Sequence, residues 1–309
     1  MSDTDRPNMG LITKPAAGIP AEPVSADMGP NMCDQKVSQG ADGLVLSGEA
    51  VLGRRVEIAG VDVDNVSMDE AIARIEEMIR RREPSYVVTP NADHMVRFHK
   101  DAAFRRAYQE ASLVLADGIS VVWGARLLGT PLKEKVSGSD LFPRFAPVAA
   151  QRGYRLAFLG GRPGAAQRSA EVLQRRCPGL QVVQVCCPRM GFECDEAENG
   201  KIVQAIRDSG ADVLFVGLGS PKQELWIHKH RWEYRVPVSI GIGGTFEFIS
   251  GQVPRAPRFM QKAGLEWLWR LAAEPRRMYR RYLMEDPEFF RLLWRQWRFR
   301  TAKAGERRR

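Results

Sequence analysis

The sequence predicts an α/β fold, a core of parallel strands joined by helical crossovers and followed by a basic helical appendage. Three observations carry that expectation. Short apolar runs alternate with helical patterns through the middle of the chain. Glycines fall directly after several of these runs and before the next helix. The strand signal stops near residue 254, where arginine and tryptophan begin to concentrate. The expected division is a disordered extension over 1–50, a core over 51–254 and an appendage over 255–309.

Residues 1–50 are rich in Pro, Gly, Ser, Asp and Met without periodicity, the composition of a disordered segment. A strand is predicted across Val56–Val61. Ser67 and Glu70 then form a capping box ahead of Ile72, Ile75 and Ile79 at helical spacing. Tyr86-Val-Val-Thr89 and Leu113-Val-Leu115 read as buried strands with helical pieces between them, and a helix from Ile119 to Leu128 is ended by Gly129 and Pro131. In the second half, Arg155–Gly161 opens a helix from about Gly164 to Cys177, and Leu180–Val185 is the next strand. Asp212–Gly217 leads into a helix with Ser220 as N-cap and Pro221 at its first position, and the run from Val238 ends the series. Right-handed crossovers between parallel strands are the economical topology. Beyond Arg255 the pattern is helices broken by Pro275 and Pro287. In the last of them Phe290, Trp294 and Trp297 fall at i, i+4, i+7 beside Arg291, Arg295 and Arg298.

The formal net charge of +9 belongs to the tail, since residues 255–309 hold 16 Lys and Arg against 6 Asp and Glu, and four of the seven tryptophans. Such a segment suits an anionic membrane surface, an anionic ligand or nucleic acid. No run reaches the roughly 18–20 apolar residues of a membrane span, so the chain is expected to lie on a membrane rather than cross it. The five cysteines form no C-x-x-C pair and no signal peptide opens the chain, which reads as reduced thiols in a cytoplasmic protein.

The chemistry is expected at strand ends. Thr89, Asn91 and His94 follow one apolar run and Asp117 follows another, and ligands of open α/β sheets bind outside the carboxyl ends of the strands. Asp117 there is either the turn residue of Ala-Asp-Gly or a general base. Gly160-Gly161 and Gly217-Leu-Gly219 each stand between a strand and a helix, where backbone N–H groups hold a diphosphate or simply make a tight turn. Gln223 and Lys222 are expected at the mouth of the same crevice. Asp62 and Asp64 make a D-x-D, but its place between a strand and a capping box argues against a metal site. His228 and His230, two apart on a helix, cannot share a face as a ligand pair.

Taken together, Thr89-Pro-Asn-Ala-Asp-His94, Ala116-Asp-Gly118, Val136-Ser-Gly-Ser-Asp140, Phe158-Leu-Gly-Gly161, Val216 through Glu224, Gly243-Gly-Thr-Phe246, Arg255-Ala-Pro and the tail Gly264 through Arg277 with Arg280-Arg-Tyr282 resemble the WecG/TagA/CpsF glycosyltransferases, glycosyltransferase family 26. The resemblance runs from about 55 to 284. It implies a Rossmann-like core and inverting, metal-independent transfer from a UDP-sugar, of N-acetylmannosamine type, to a polyprenyl-diphosphate-linked saccharide at the cytoplasmic membrane face, with no cofactor and with the protein a monomer or small oligomer. Position by position it implies Asp117 as catalytic base, Thr89, Asn91 and Gln223 as substrate contacts, and Arg270, Arg277 and Arg280 as appendage arginines that close over the diphosphates. Lys135 stands where Arg is common, and Glu247 where Asp is usual. A UDP-glucose-type donor in exopolysaccharide assembly is the alternative within the family. A nucleotide-sugar dehydrogenase or epimerase is the alternative outside it, but the chain offers no dinucleotide fingerprint. A nucleic-acid-binding tail is a third reading, without a recognised module.

Overall fold

The computed structural model describes residues 55–262, 265–273 and 286–306, and the extension expected over 1–50 lies outside them. Its centre is a six-stranded parallel sheet built from β3 (Ser85–Val88), β4 (Leu113–Val114), β5 (Arg155–Gly160), β6 (Gln181–Cys186), β7 (Val213–Gly217) and β8 (Val238–Gly241), in the order β4-β3-β8-β7-β5-β6. A separate antiparallel pair, β1 (Arg55–Ile58) and β2 (Val61–Asp64), precedes it. The single strand expected over Val56–Val61 is thus two, because Ala59 and Gly60 both take positive φ and reverse the chain.

Both sheet faces are covered, so the strands carry near-continuous apolar side chains. Tyr86, Val88, Ala157, Leu159, Leu214 and Val216 point to one face, under α2 (Ala92–Lys100), α3 (Ala102–Gln109), α4 (Ile119–Leu127), α7 (Glu196–Asp208) and α8 (Lys222–Tyr234). Val87, Leu156, Phe158, Val213, Phe215 and Ile240 point to the other, under α1 (Met68–Arg81), α5 (Gly138–Arg152), α6 (Ala165–Arg176) and α9 (Thr245–Ser250). That second core is aromatic, with Phe142 in edge contact with Phe158, Phe215 and Phe246 at centroid separations of 5.2, 4.7 and 5.5 Å. The chain winds outward from β3 to β4 over one face and from β5 to β6 over the other, and then fills the centre with β7 and β8. Right-handed crossovers travelling in opposite directions place their helices on opposite faces, and the crevice lies where the directions part.

The capping box at the start of α1 is present, with the Ser67 side chain accepting from Glu70 N and Glu70 Oε2 accepting from Ser67 N. Two helices, α5 and α7, stand where the sequence reading placed none. Pro143 and Pro147 break the helical signal of α5, yet Ser137 caps its start and Gly153 its end. Asp195 caps α7 by accepting from Ala197 N and Glu198 N.

Beyond the sheet come α10 (Arg258–Lys262), α11 (Glu266–Ala273) and α12 (Asp286–Glu306). Phe289 and Leu293 of α12 are fully buried in the first core, Gln296 accepts from Ala59 N and donates to Glu57 O, and Arg300 donates to Leu128 O. A helix that the sequence division assigns to the appendage therefore helps close the core, on the face beside its Trp stripe. Phe290, Trp294 and Trp297 remain 54%, 53% and 41% exposed, and the Arg298 guanidinium lies 4.9 Å from the Trp294 ring. Among the described residues no helix is long and apolar enough to cross a membrane.

Candidate active site

The carboxyl ends of β3, β4, β8 and β7 carry the residues that the sequence singles out. Thr89 follows β3 directly, and its hydroxyl donates to Gly241 O at the end of β8 (3.5 Å). Asn91 caps α2 by accepting from His94 N (3.2 Å), which fixes its side chain at the helix mouth. The turn after β4 is pinned to this one, since Asp117 N donates to Pro90 O (2.9 Å), and a Cβ on Gly118 would stand 3.8 Å from Asn91 Cβ. Thr89, Asn91 and Asp117 are thereby brought together. Lys135 joins them, because Val136 N donates to Ala116 O and so lays the 135–136 segment beside the Asp117 turn.

Lys135 Nζ lies 3.3 Å from Asp140, whose other oxygen accepts from Arg255 (2.5 Å) and which also receives the Ser137 hydroxyl (2.6 Å). Burial pushes the Asp140 carboxyl up, but Arg255, Lys135 and the Ser137 hydroxyl outweigh it and hold the group below the usual carboxylate range. Roles for Asp140 and Arg255 are absent from the sequence reading. The signal available was Ser137 three residues ahead of Asp140, the spacing of an N-cap and its third helical residue.

Of the four glycines expected to cradle a diphosphate, three serve close packing. A Cβ on Gly160 would meet Gly217 O at 2.7 Å, one on Gly217 would meet Phe246 at 2.7 Å, and one on Gly161 would meet Phe246 at 3.3 Å. The Gly161 N–H already donates to Gly217 O and the Arg162 N–H to Glu247 Oε1, so the turn after β5 offers a diphosphate little. Gly219, with positive φ, has open space where its side chain would be. Glu247 is buried, with its second oxygen lacking a hydrogen-bond partner.

Gln223 departs from its expected place at the crevice mouth. It is 2% exposed and fits against Gly241, where a Cβ would come within 2.8 Å of its amide nitrogen. Lys222 pairs with Glu193. Ser220 is not the N-cap of α8. The Ser220–Pro221 peptide is cis, the helix starts one residue later with Pro221 as cap, and the Ser220 hydroxyl is buried. Next to Gln223, Glu224 is 1% exposed, and burial pushes its carboxyl up to about 7.

Asp64 of the D-x-D binds Arg74 (2.9 Å) and Arg55 and accepts from Val114 N, a structural role at the edge of β4. His228 pairs with Glu110 and His230 with Glu233. Among the described residues no group of three or more His, Cys, Asp or Glu is arranged to hold a metal ion. Arg270 lies in α11, and Arg277 and Arg280 lie outside the described residues.

Fold and site together define a doubly wound α/β protein whose polar residues and glycine turns gather at the carboxyl ends of its central strands. The chain belongs to the WecG/TagA/CpsF family of glycosyl transferases, whose sequence profile it matches over residues 56–303. The match runs past 284, where the motif resemblance stops, and so takes in most of α12. Among its relatives is the N-acetylglucosaminyldiphosphoundecaprenol N-acetyl-beta-D-mannosaminyltransferase of Bacillus spizizenii, 33% identical over 196 residues that cover 63% of this chain and 74% of the relative. The Staphylococcus aureus (strain NCTC 8325 / PS 47) protein of the same name is 28% identical over 228 residues, 73% of this chain and 87% of the relative.

Proposed function

We propose that this glycosyltransferase moves an N-acetylmannosamine-type sugar from its UDP-sugar to a polyprenyl-diphosphate-linked saccharide, with Asp117 as general base. The observation that carries the reading is the pinning of the Asp117 turn to Pro90 O beside Thr89 and Asn91, which sets a carboxylate next to hydrogen-bonding side chains at the sheet's carboxyl edge. In that arrangement Asp117 takes the proton of the acceptor hydroxyl as its oxygen attacks the anomeric carbon. The bond from that carbon to the UDP oxygen breaks on the opposite face, and configuration inverts. The departing diphosphate needs positive charge: Lys135 stands beside the Asp117 turn, and Arg270, Arg277 and Arg280 supply the rest from the tail. Thr89 and Asn91 orient the sugars, and Glu247 and Gln223 shape the turns beneath the nucleotide.

The two relatives are named for moving an N-acetylmannosaminyl group to N-acetylglucosaminyldiphosphoundecaprenol, which supports both the sugar and the acceptor class. The exposed Phe290, Trp294 and Trp297 on a helix that also carries Arg291, Arg295 and Arg298 suit an anionic lipid surface, where such an acceptor resides. We place the enzyme peripherally on the cytoplasmic face. The test is incubation with a short-chain polyprenyl-diphosphate-GlcNAc and a panel of UDP-sugars in EDTA, following UDP release and product mass. Transfer from UDP-N-acetylmannosamine is expected, and Asp117→Asn lowers kcat by at least ~10²-fold with donor binding retained. Transfer from UDP-glucose alone would move the enzyme to another polysaccharide, and full turnover by the Asn variant would remove Asp117 as base.

A further inference from the structure

Two adjacent buried side chains tie the turn after β7 to the turn after β8. The Gln223 amide nitrogen donates to Glu224 Oε1 (2.8 Å), and the Gln223 amide oxygen accepts from Gly243 N (3.0 Å). Gly241, at the end of β8, leaves the space that this amide fills, and the same Gly241 carbonyl receives the Thr89 hydroxyl. The Gln223 amide is therefore a strut across the crevice floor. An amide can be turned end for end, and turned the wrong way it would set its NH2 against the Gly243 N–H, donor facing donor.

We infer that Glu224 is a positioning residue, whose carboxylate, able only to accept, holds the Gln223 amide in the one orientation that anchors Gly243 at the floor of the donor site. The inference rests on the transferase reading for its catalytic consequence and on hydrogen bonding alone for its structural one. Glu224 Oε2 is buried, and the Ser220 hydroxyl and the Arg97 charge both act to favour the ionised carboxylate. A polar pocket thus surrounds a carboxyl that is not spent on an ion pair.

Protonation would undo the selection, because a carboxylic acid can also donate, to the Gln223 oxygen in the turned amide. Burial brings that change to about pH 7. Polar and titratable groups stand on the elements packed around α8. From α2 comes Arg97, and from α3 comes Tyr108, whose phenol burial raises, with the charges of Glu224, Asp117 and Asp93 adding to the rise, and which is hydrogen-bonded to His94 (2.9 Å). On the α7 side Glu193 is paired with Lys222, and Asn199 accepts from Trp226. From the sheet come the uncharged Thr89 and Gly241, and Tyr86, which donates to Ala107 O.

The test uses the full-length protein and two readouts. The first is hydrogen exchange of the Gly243 amide from pH 5.5 to 8.5, corrected for intrinsic rate. The second is the donor KM and kcat over the same range. Protection of Gly243 is expected to fall, and donor KM to rise, as pH drops through about 7, by about tenfold for one anchoring hydrogen bond. In Glu224→Gln both pH dependences should vanish, and combining it with Gln223→Met should add nothing to the KM change of Gln223→Met alone. Wild-type Gly243 protection that does not change across pH 6–8, or the same inflection surviving in Glu224→Gln, overturns the inference. The wild-type titration decides even if a variant fails to fold. Absence of turnover with every donor would instead sink the transferase reading, leaving the exchange data to judge Glu224.

Discussion

Leu293 on α12 is 1% exposed and sits over Gly124 of α4, where a Cβ would come within 2.9 Å of its methyl carbons. The leucine fills the notch that the glycine leaves. Leu293→Ala removes three carbons at ~0.8 kcal/mol each and leaves a cavity that the rigid α4 backbone cannot close, which gives a loss of about 3–4 kcal/mol. In a folded unit of this size that is a fall in Tm of about 6–16 °C. Gly124→Ala alone gains about 1 kcal/mol of helix propensity but drives its methyl into Leu293, for a net loss of about 0–2 kcal/mol. The double variant returns a methyl to the emptied space, so it should be more stable than the sum of the single losses predicts, by at least ~1 kcal/mol. Urea unfolding of the four proteins measures each value. A Leu293→Ala loss below ~1 kcal/mol, or strict additivity, would show that α12 is not docked through this contact.

Gly217→Ala should cost about 1–3 kcal/mol in urea unfolding, because its Cβ would lie 2.9 Å from the Gly243 carbonyl and 2.7 Å from Phe246, and backbone cannot step aside cheaply; a wild-type midpoint contradicts this. Asp140 has a depressed pKa when folded, so it contributes stability above the ordinary carboxylate value of ~3.9 and loses it as pH falls through its lower folded value. The stability gap between wild type and Arg255→Met should therefore narrow below about pH 4, and a gap independent of pH would refute the pairing. Trp294→Ser with Trp297→Ser should reduce flotation with phosphatidylglycerol vesicles while leaving Tm within a degree or two, since both rings are exposed; unchanged flotation rules this face out as the lipid contact. These substitutions test membrane binding better than removal of residues 255–309, which would also strip Phe289 and Leu293 from the core.

Much of this molecule is local in origin and can be read along the chain. The apolar runs at 86–88, 155–160, 213–217 and 238–241 are strands because both of their faces are buried, which leaves a continuous apolar signature. The Ser67–Glu70 box starts α1 through bonds spanning three residues. Thr89, Asn91 and Asp117 converge because parallel strands send all their carboxyl ends to one edge, so strand-end polar residues meet whatever the strand order.

What depends on residues far apart in sequence was decided only by the tertiary structure. The order β4-β3-β8-β7-β5-β6 puts the last strand beside the first of the large sheet, and that is why Gly241 meets both Thr89 and Gln223. Gln223 reads as a polar residue at a helix mouth, yet the missing side chain of Gly241 opens a slot beneath it and draws it inside. Gly160 and Gly217 have the look of a phosphate cradle but are glycines because two strand ends press together there. The Trp stripe of α12 marks an amphipathic helix. Which face it buries was settled by the notch at Gly124, a gap in another helix that no periodicity in α12 could announce.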